Sequence, residues 1–344
     1  MFEEKPSKLA SKGAKIALAV VPILIIAGYF GFVSLNKDEK KKVATTESTT
    51  TTTKEKKKEI IAPLTGLVDE TGLSETRPAL AVKIGNNAEA RPQAGINEAD
   101  IVYEEIVEGG VTRYMAIYNS QVPARVGPVR SVRGMDPNIA LNWGGIFAYS
   151  GGAPQNETKI KGTKGIVALN ETAAGDGMKR DSARGAPNNL YVQTATMFVK
   201  GGTPIPPKAQ FTFSAKPITV GDPALKFEIG FKSGFACTWQ YDAATNKYLR
   251  FYGTKPVVDQ EGKQVAASNV VVQTIVYPSE SEGVTTGSGK VQIFRDGKML
   301  TGTWNRPNNS NPAEYLDAKG SKIALTPGQT WVELASASTP VTLK

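Results

Sequence analysis

The sequence predicts an α+β protein in three parts: a membrane anchor helix, a mixed α+β N-terminal domain and a mainly antiparallel β C-terminal domain. Three observations carry this. The run Ile16 to Leu35, IALAVVPILIIAGYFGFVSL, holds no charged side chain. The stretch at 43–59, VATTESTTTTTKEKKKE, is low in complexity and nearly free of apolar groups. Beyond Pro63, short apolar runs first mix with helix signals and then, after Gly201, alternate almost wholly with turn residues.

Residues 1–15 read as a short tail and 16–35 as the anchor. At about 1.5 Å per residue the run covers roughly 30 Å, the thickness of a bilayer's hydrocarbon core. Pro22, Gly28 and Gly31 weaken a helix in water but are tolerated in lipid, where an exposed backbone costs far more. A cleaved secretory signal has an apolar core of only about 7 to 15 residues ending at a small-x-small site. Here the run is longer and Asn36, Lys37 and Asp38 follow it, so an uncleaved signal anchor is favoured. Lys5, Lys8, Lys12 and Lys15 before the span nearly balance Lys37, Lys40, Lys41 and Lys42 after it, which weakens the positive-inside bias. The short tail is the easier part to retain. This places the N-terminus in the cytoplasm and the remainder outside, on a single pass through the cell membrane. Residues 36–62 cannot offset the entropy of ordering and read as a disordered tether.

The first folded domain is expected over 63–205. Ala79 to Ile84 reads as a strand, and Ile101 to Tyr118, IVYEEIVEGGVTRYMAIY, as two strands around a Gly109–Gly110 turn. Asp136 before Pro137 marks a helix start, predicting a short helix to Trp143 and then a strand from Ile146 to Tyr149. GGTPIPPK at 201–208 reads as an interdomain joint. Over 206–344, strands are expected at Ala224 to Phe231, Phe235 to Tyr241, Tyr248 to Phe251, Val270 to Val276, Val291 to Phe294 and Trp331 to Leu334. Turns such as Asp296-Gly297 separate them. Antiparallel sheet is the natural outcome, without a nucleotide-binding βαβ repeat.

Composition removes several chemistries. The chain has no His, so no imidazole-based triad, proton shuttle or mixed His/Cys zinc site can form. Its single Cys, Cys237, makes no internal disulfide and reads as a buried small apolar residue. The net charge of +9 invites a nucleic-acid reading, but residues 1–62 hold 12 Lys against 7 acids, leaving 29 basic and 25 acidic residues for the rest. No basic block interleaved with aromatics follows, so the ectodomain is not expected to bind nucleic acid.

Two constellations carry chemistry. On a strand, Asp100, Glu104 and Glu108 share a face. With Gly109–Gly110 as a two-residue turn, Arg113 falls opposite Ile106 and diagonal to Glu104 and Glu108. The group is either a structural ion pair or a ligand or metal site; carboxylates without imidazole suit a hard cation such as Mg or Ca, although no calcium-loop spacing is present. The second constellation is ARVGPVRSVRGMD at 124–136, where Arg125, Arg130 and Arg133 sit among Gly and Pro. Guanidinium forks match carboxylate and phosphate, making this the best anion-binding candidate, unless one or two of them pair with the acidic hairpin. YSGGAPQN at 149–156 and RDSARGAPNNLY at 180–191 add backbone-permissive residues and amides, the ingredients of a polar loop cleft. Asn156, Arg180 and Asn188 join the candidate ligand-binding set there. Ser150 and Ser182 are not expected to be nucleophiles, since a hydroxyl needs an adjacent base and near Ser182 the sequence offers only Lys179 and Asp181.

Several blocks together resemble the YerB-type family of bacterial envelope proteins: PLTGL at 63–67, RPALAVKIGNNAEARPQAGINEADIVYEEIVEGGVTRYMAIY at 77–118, GPVRSVR at 127–133, WQYDAATNKYLRFYGTKPVVD from Trp239, GSGKVQIFRDGKMLTGTW at 287–304 and LTPGQTWVEL at 325–334. That family is described as lipoproteins with paired domains of unknown function, so the resemblance implies layout and location more than activity. Two departures stand out. Relatives commonly carry a histidine before the Ser-Gly-Gly and another in an APHN-like motif, where this chain has Tyr149 and Asn188. Many relatives also use a lipidated cysteine where this chain has a spanning run; both hold a domain at a surface.

The sequence therefore leads to a membrane-tethered binding or scaffold protein of the cell envelope. A loop cleft around Arg113, Arg130, Arg133, Asn156, Arg180 and Asn188 would recognise an anionic or glycan-like component, with no cofactor. The alternative is a metal-assisted transferase or hydrolase on phosphorylated envelope substrates, with Asp100, Glu104 and Glu108 holding a divalent cation. A structural partner protein bound at an exposed β edge is a third reading.

Overall fold

Alternating apolar residues in the first half build strands whose two faces are both covered. The computed structural model describes residues 59–201, 205–231 and 236–344. The anchor run, the tail before it and the tether up to residue 58 lie outside the described residues, as do 202–204 within the expected joint. Among the described residues no helix is long and apolar enough to cross a membrane.

The first half contains β1 (Leu80–Gly85), β2 (Ile101–Ile106), β3 (Thr112–Tyr118), β4 (Arg125–Val126), α1 (Asp136–Ala140), β5 (Gly145–Ala148), α2 (Pro154–Lys161), β6 (Ile166–Leu169), α3 (Glu171–Ala174), β7 (Met178–Arg180), β8 (Leu190–Gln193) and α4 (Thr194–Lys200). Strand β3 pairs antiparallel with both β1 and β2. Beside β1 run β5 and then β6, both parallel, with α2 as the crossover between them. One βαβ unit is therefore present, β5–α2–β6, which the sequence reading did not single out. Its helix, PQNETKIK, buries only Ile160 and shows no apolar stripe for the sequence pattern to reveal.

The hairpin register also differs from the expectation. Thr112 lies opposite Ile106 and Arg113 opposite Glu105. The connection runs from Val107 to Val111, closed by a 2.9 Å bond from the Val107 amide to the Val111 carbonyl. Gly109 and Gly110 both take positive φ, 72° and 67°, inside it. A slip of one residue exchanges faces. Arg113 thus shares the face of Glu105, away from Glu104.

The second half contributes β9 (Asp222–Pro223), β10 (Lys226–Ile229), β11 (Cys237–Asp242), β12 (Lys247–Tyr252), β13 (Lys255–Pro256), β14 (Ala266–Ala267), β15 (Asn269–Ile275), β16 (Gly287–Arg295), β17 (Lys298–Arg306), β18 (Glu314–Leu316), β19 (Thr330–Ser336) and β20 (Val341–Leu343). Its sheets are largely antiparallel. The exception is β19, which runs parallel to β15 on one side and to β2 on the other. Through β19 the two halves share one sheet, in the order β18-β17-β16-β15-β19-β2-β3-β1-β5-β6.

One face of this sheet carries Val82, Val102, Tyr114, Val270 and Trp331. The sheet β13-β12-β11-β10-β20 covers it with Phe227 and Trp239, and the β4-β8-β7 sheet with Val126 and Val192. The opposite face carries Ala81, Ile101, Tyr103, Met115 and Phe147 beneath α1, α2 and the segment around Phe213 and Leu325. Cys237 is free and buried in the first of these cores, as expected. Lys83 interrupts the apolar run of β1 on the second face, at the carboxyl end of the parallel strands.

Candidate functional site

Lys83 is wholly buried and meets two carboxylates, Glu105 of β2 and Asp136 of α1; the contact with Asp136 is 2.7 Å. Burial pushes its ammonium down to about 8 while Asp136 pulls it back up. Asp136 also accepts the Arg133 amide at 2.6 Å, and the Lys83 carbonyl accepts the Arg130 amide at 2.8 Å. The buried trio thereby fixes the backbone of the loop 130–136 at two points.

That loop brings three of the sequence-predicted arginines together. Arg113 and Arg133 both donate through Nη1 to the Ser131 carbonyl, at 2.9 and 3.4 Å. The stem of Arg130 passes across Gly85, where an added Cβ would lie 2.8 Å from its Cγ. Gly85 is the cross-strand partner of Arg113. Burial, with Arg133 and Arg130 alongside, lowers Arg113 to about 10. Burial and then Arg133 lower Arg130 as well. Arg130 reaches Asn188 Oδ1 at 3.3 Å, so Asn188 belongs to the cluster.

The loop after β5 lies alongside. The Ser150 amide bonds the Arg130 carbonyl at 3.0 Å and the Val132 amide bonds the Gly151 carbonyl at 2.9 Å. The amides of Gly152, Ala153 and Gln155, at the start of α2, donate to no acceptor among the described residues. Such amides at a helix N-terminus attract anions. Tyr149 is buried and its hydroxyl has no partner; burial, then Glu157, raise it to about 12. Asn156 stands in the first turn of α2. Arg180 is placed differently: its fork holds Glu171 at 2.8 and 2.5 Å and its Nη1 holds Asn189 at 2.8 Å.

Comparison with known proteins fits this layout. The family model for the N-terminal domain of DUF3048, a protein of unknown function, matches residues 64–201, and the model for its C-terminal domain matches 227–332. The chain belongs to the DUF3048 family. It is 27% identical over 292 residues to the Bacillus subtilis protein named "Putative lipoprotein YerB", covering 79% of this chain and 85% of that one. The crystal structure of YerB from Bacillus subtilis matches with a TM-score of 0.70 at 24% identity, over 83% of this chain and 100% of that one. At that identity the likeness establishes the fold.

In this DUF3048 chain the three carboxylates proposed as a cation site do not converge. Asp100 accepts from the Asn119 amide and from Ser120, through both its amide and its hydroxyl. Glu104 accepts from Thr112 Oγ1 at 2.5 Å, Asn86 Nδ2 at 3.3 Å and Arg250 Nη2 at 2.5 Å. Glu108 is exposed at the hairpin tip and pairs with Arg133 Nε at 2.8 Å. Although partial burial alone would raise it, hydrogen bonds from its own backbone and from Arg133 hold Glu108 below the usual carboxylate range.

Glu104, Cys237 and Glu333 do meet, with ligand-type atoms within 4.8 Å of one another. The cation among them is Arg250, fully buried, 2.5 Å from Glu104 and 3.0 Å from Glu333. The rings of Trp331, Trp239, Tyr252 and Tyr114 surround its guanidinium at 4.6 to 5.7 Å. One guanidinium cannot neutralise two carboxylates. Burial, then Glu104, push Glu333 well above its ordinary value, which favours the neutral carboxyl, and its Oε2 has no hydrogen-bond partner. A raised folded value contributes stability that is full below about pH 4.3 and is lost as pH rises toward that value. Glu333→Gln is therefore expected to gain on the parent protein as pH rises, by up to about 1.4 kcal/mol per pH unit. Urea unfolding across pH 5 to 8 checks this; a difference that stays flat with pH contradicts a protonated Glu333.

Proposed function

We propose that the chain is a binding protein of the cell envelope whose cluster of Arg113, Arg130 and Arg133 captures an anionic, phosphate-bearing component. The supporting observation is that three guanidiniums share one surface on which Glu108 is their one carboxylate hydrogen-bond partner among the described residues. Amides at the start of α2 and the Asn188 side chain add neutral polar groups, as a glycan-phosphate requires. A membrane location is consistent with the naming of its relative as a lipoprotein, with residues 16–35 as the anchor here. The buried Cys237 is not available for lipid attachment. The separate commitments of Asp100, Glu104 and Glu108 weigh against the metal-assisted enzyme.

Calorimetric titration of the detergent-solubilised full chain with phosphorylated wall fragments tests the proposal. Arg130→Ala and Arg133→Ala are each expected to weaken binding by about tenfold or more, the scale of one charge-assisted hydrogen bond. Affinity should also fall with added salt. Unchanged affinity in both variants removes these residues from the account.

A further inference from the structure

The anion nearest the arginine cluster is the protein's own. Glu108 places its carboxylate 2.8 Å from Arg133 Nε through either oxygen, yet its side chain remains 59% exposed against 14% for Arg133. It rides on the Val107–Val111 connection, whose Gly109 faces open space on its Cβ side. That tip touches the second half of the chain, where the Gly109 amide donates to Glu280 Oε2 at 2.8 Å. An exposed carboxylate on a glycine turn is easily exchanged, because water can replace its contacts as it leaves. The guanidinium it releases is already fixed in place by the carbonyls of Ser131 and Val132.

Charge counting says what can take its place. With Glu108 withdrawn, Lys83, Arg113, Arg130 and Arg133 face two carboxylates, Glu105 and Asp136, leaving two positive charges. Nearby, Lys159 donates to the Gly134 carbonyl at 2.6 Å and the Glu282 carboxylate lies against the same glycine, so these two offset one another. Two adjacent subsites result: Arg113 with Arg130 and the Ser150–Ala153 loop, and Arg133 at the place Glu108 vacates.

Resting on the anion-binding reading above, we propose that Glu108 stands in for the second anionic group of the ligand, and that the site takes a diphosphate group, with at least one negative charge on each phosphorus. Binding then lifts the 107–111 tip from Arg133 and from its contact with Glu280, so occupancy is communicated to the second half.

The test titrates the full chain and its Glu108→Gln variant with pyrophosphate and with orthophosphate. Pyrophosphate is expected to bind the parent protein about tenfold more tightly than orthophosphate, the gain of one further charge-assisted contact. Glu108→Gln should tighten pyrophosphate by about fivefold or more and leave orthophosphate within about twofold, because only the diphosphate competes with the carboxylate. Arg133→Met should erase the preference, and hydrogen exchange at Gly109 should quicken on pyrophosphate binding. Equal tightening of both anions would be general charge relief and overturns the stand-in role, as does equal affinity for both anions in the parent; either result leaves the anion site itself standing. Binding of neither anion to either protein overturns both readings.

Discussion

Replacing Arg250 by methionine is expected to destabilise the protein by about 3–5 kcal/mol, the range for removing one partner of a buried ion pair. The chain leaves no softer outcome. Strands β2 and β19 run in parallel with Glu104 beside Glu333, so two carboxylates face the same core between the sheets. Arg250 on β12 holds both, and it is the strut through which the second sheet grips the first. Without it the carboxylates stay buried with only Thr112, Asn86 and Trp239 as donors. Adding Glu104→Gln to Arg250→Met should recover much of the loss, since a neutral group costs less to bury than an unpaired charge. Urea unfolding measures both. A single variant within about 1 kcal/mol of the parent would mean the network is wet or already neutral.

Lys83→Met is the second large effect, again about 3–5 kcal/mol, because it strands Glu105 and Asp136 in a dry interior. It differs from the first in reaching the arginine surface. Asp136 divides its oxygens between Lys83 and the Arg133 amide. Freed of Lys83, that carboxylate turns toward Arg133 and Arg113, and anion affinity should fall along with stability. In Arg250→Met, by contrast, whatever folded protein remains should bind as the parent does. Parallel unfolding and phosphate titrations on both variants separate the two; equal affinity losses would show that the loop is not held by Lys83.

The strands were legible in the sequence because their apolar alternation is dense. β1, the two hairpin strands, β11, β12, β15 and β19 lie within a residue or two of the runs that announce them. The layout of α2, β6 and β8 was not, since short elements in contact with loops carry no periodic signature. Arg130, Arg133 and Asn188 could be singled out from their Gly- and Pro-rich surroundings. Arg113 was singled out too, but with the wrong neighbour, because its face depends on one residue in the Gly109–Gly110 turn. Lys83 and Glu105 were missed as site residues. Their signals were present: a lone lysine inside ALAVKIG, and a second glutamate whose parity sends it to the opposite face from Glu104. The Glu104–Arg250–Glu333 network joins residues more than 200 positions apart in the chain, beyond the reach of spacing arguments.

The claim on which the account rests is that Arg113, Arg130 and Arg133 form one anion-binding surface. Crystals soaked in tungstate, with an anomalous difference map, test it directly. A peak is expected at these guanidiniums, beside the Ser150–Ala153 loop. A peak bound elsewhere, with this surface empty and Glu108 still on Arg133, would contradict it.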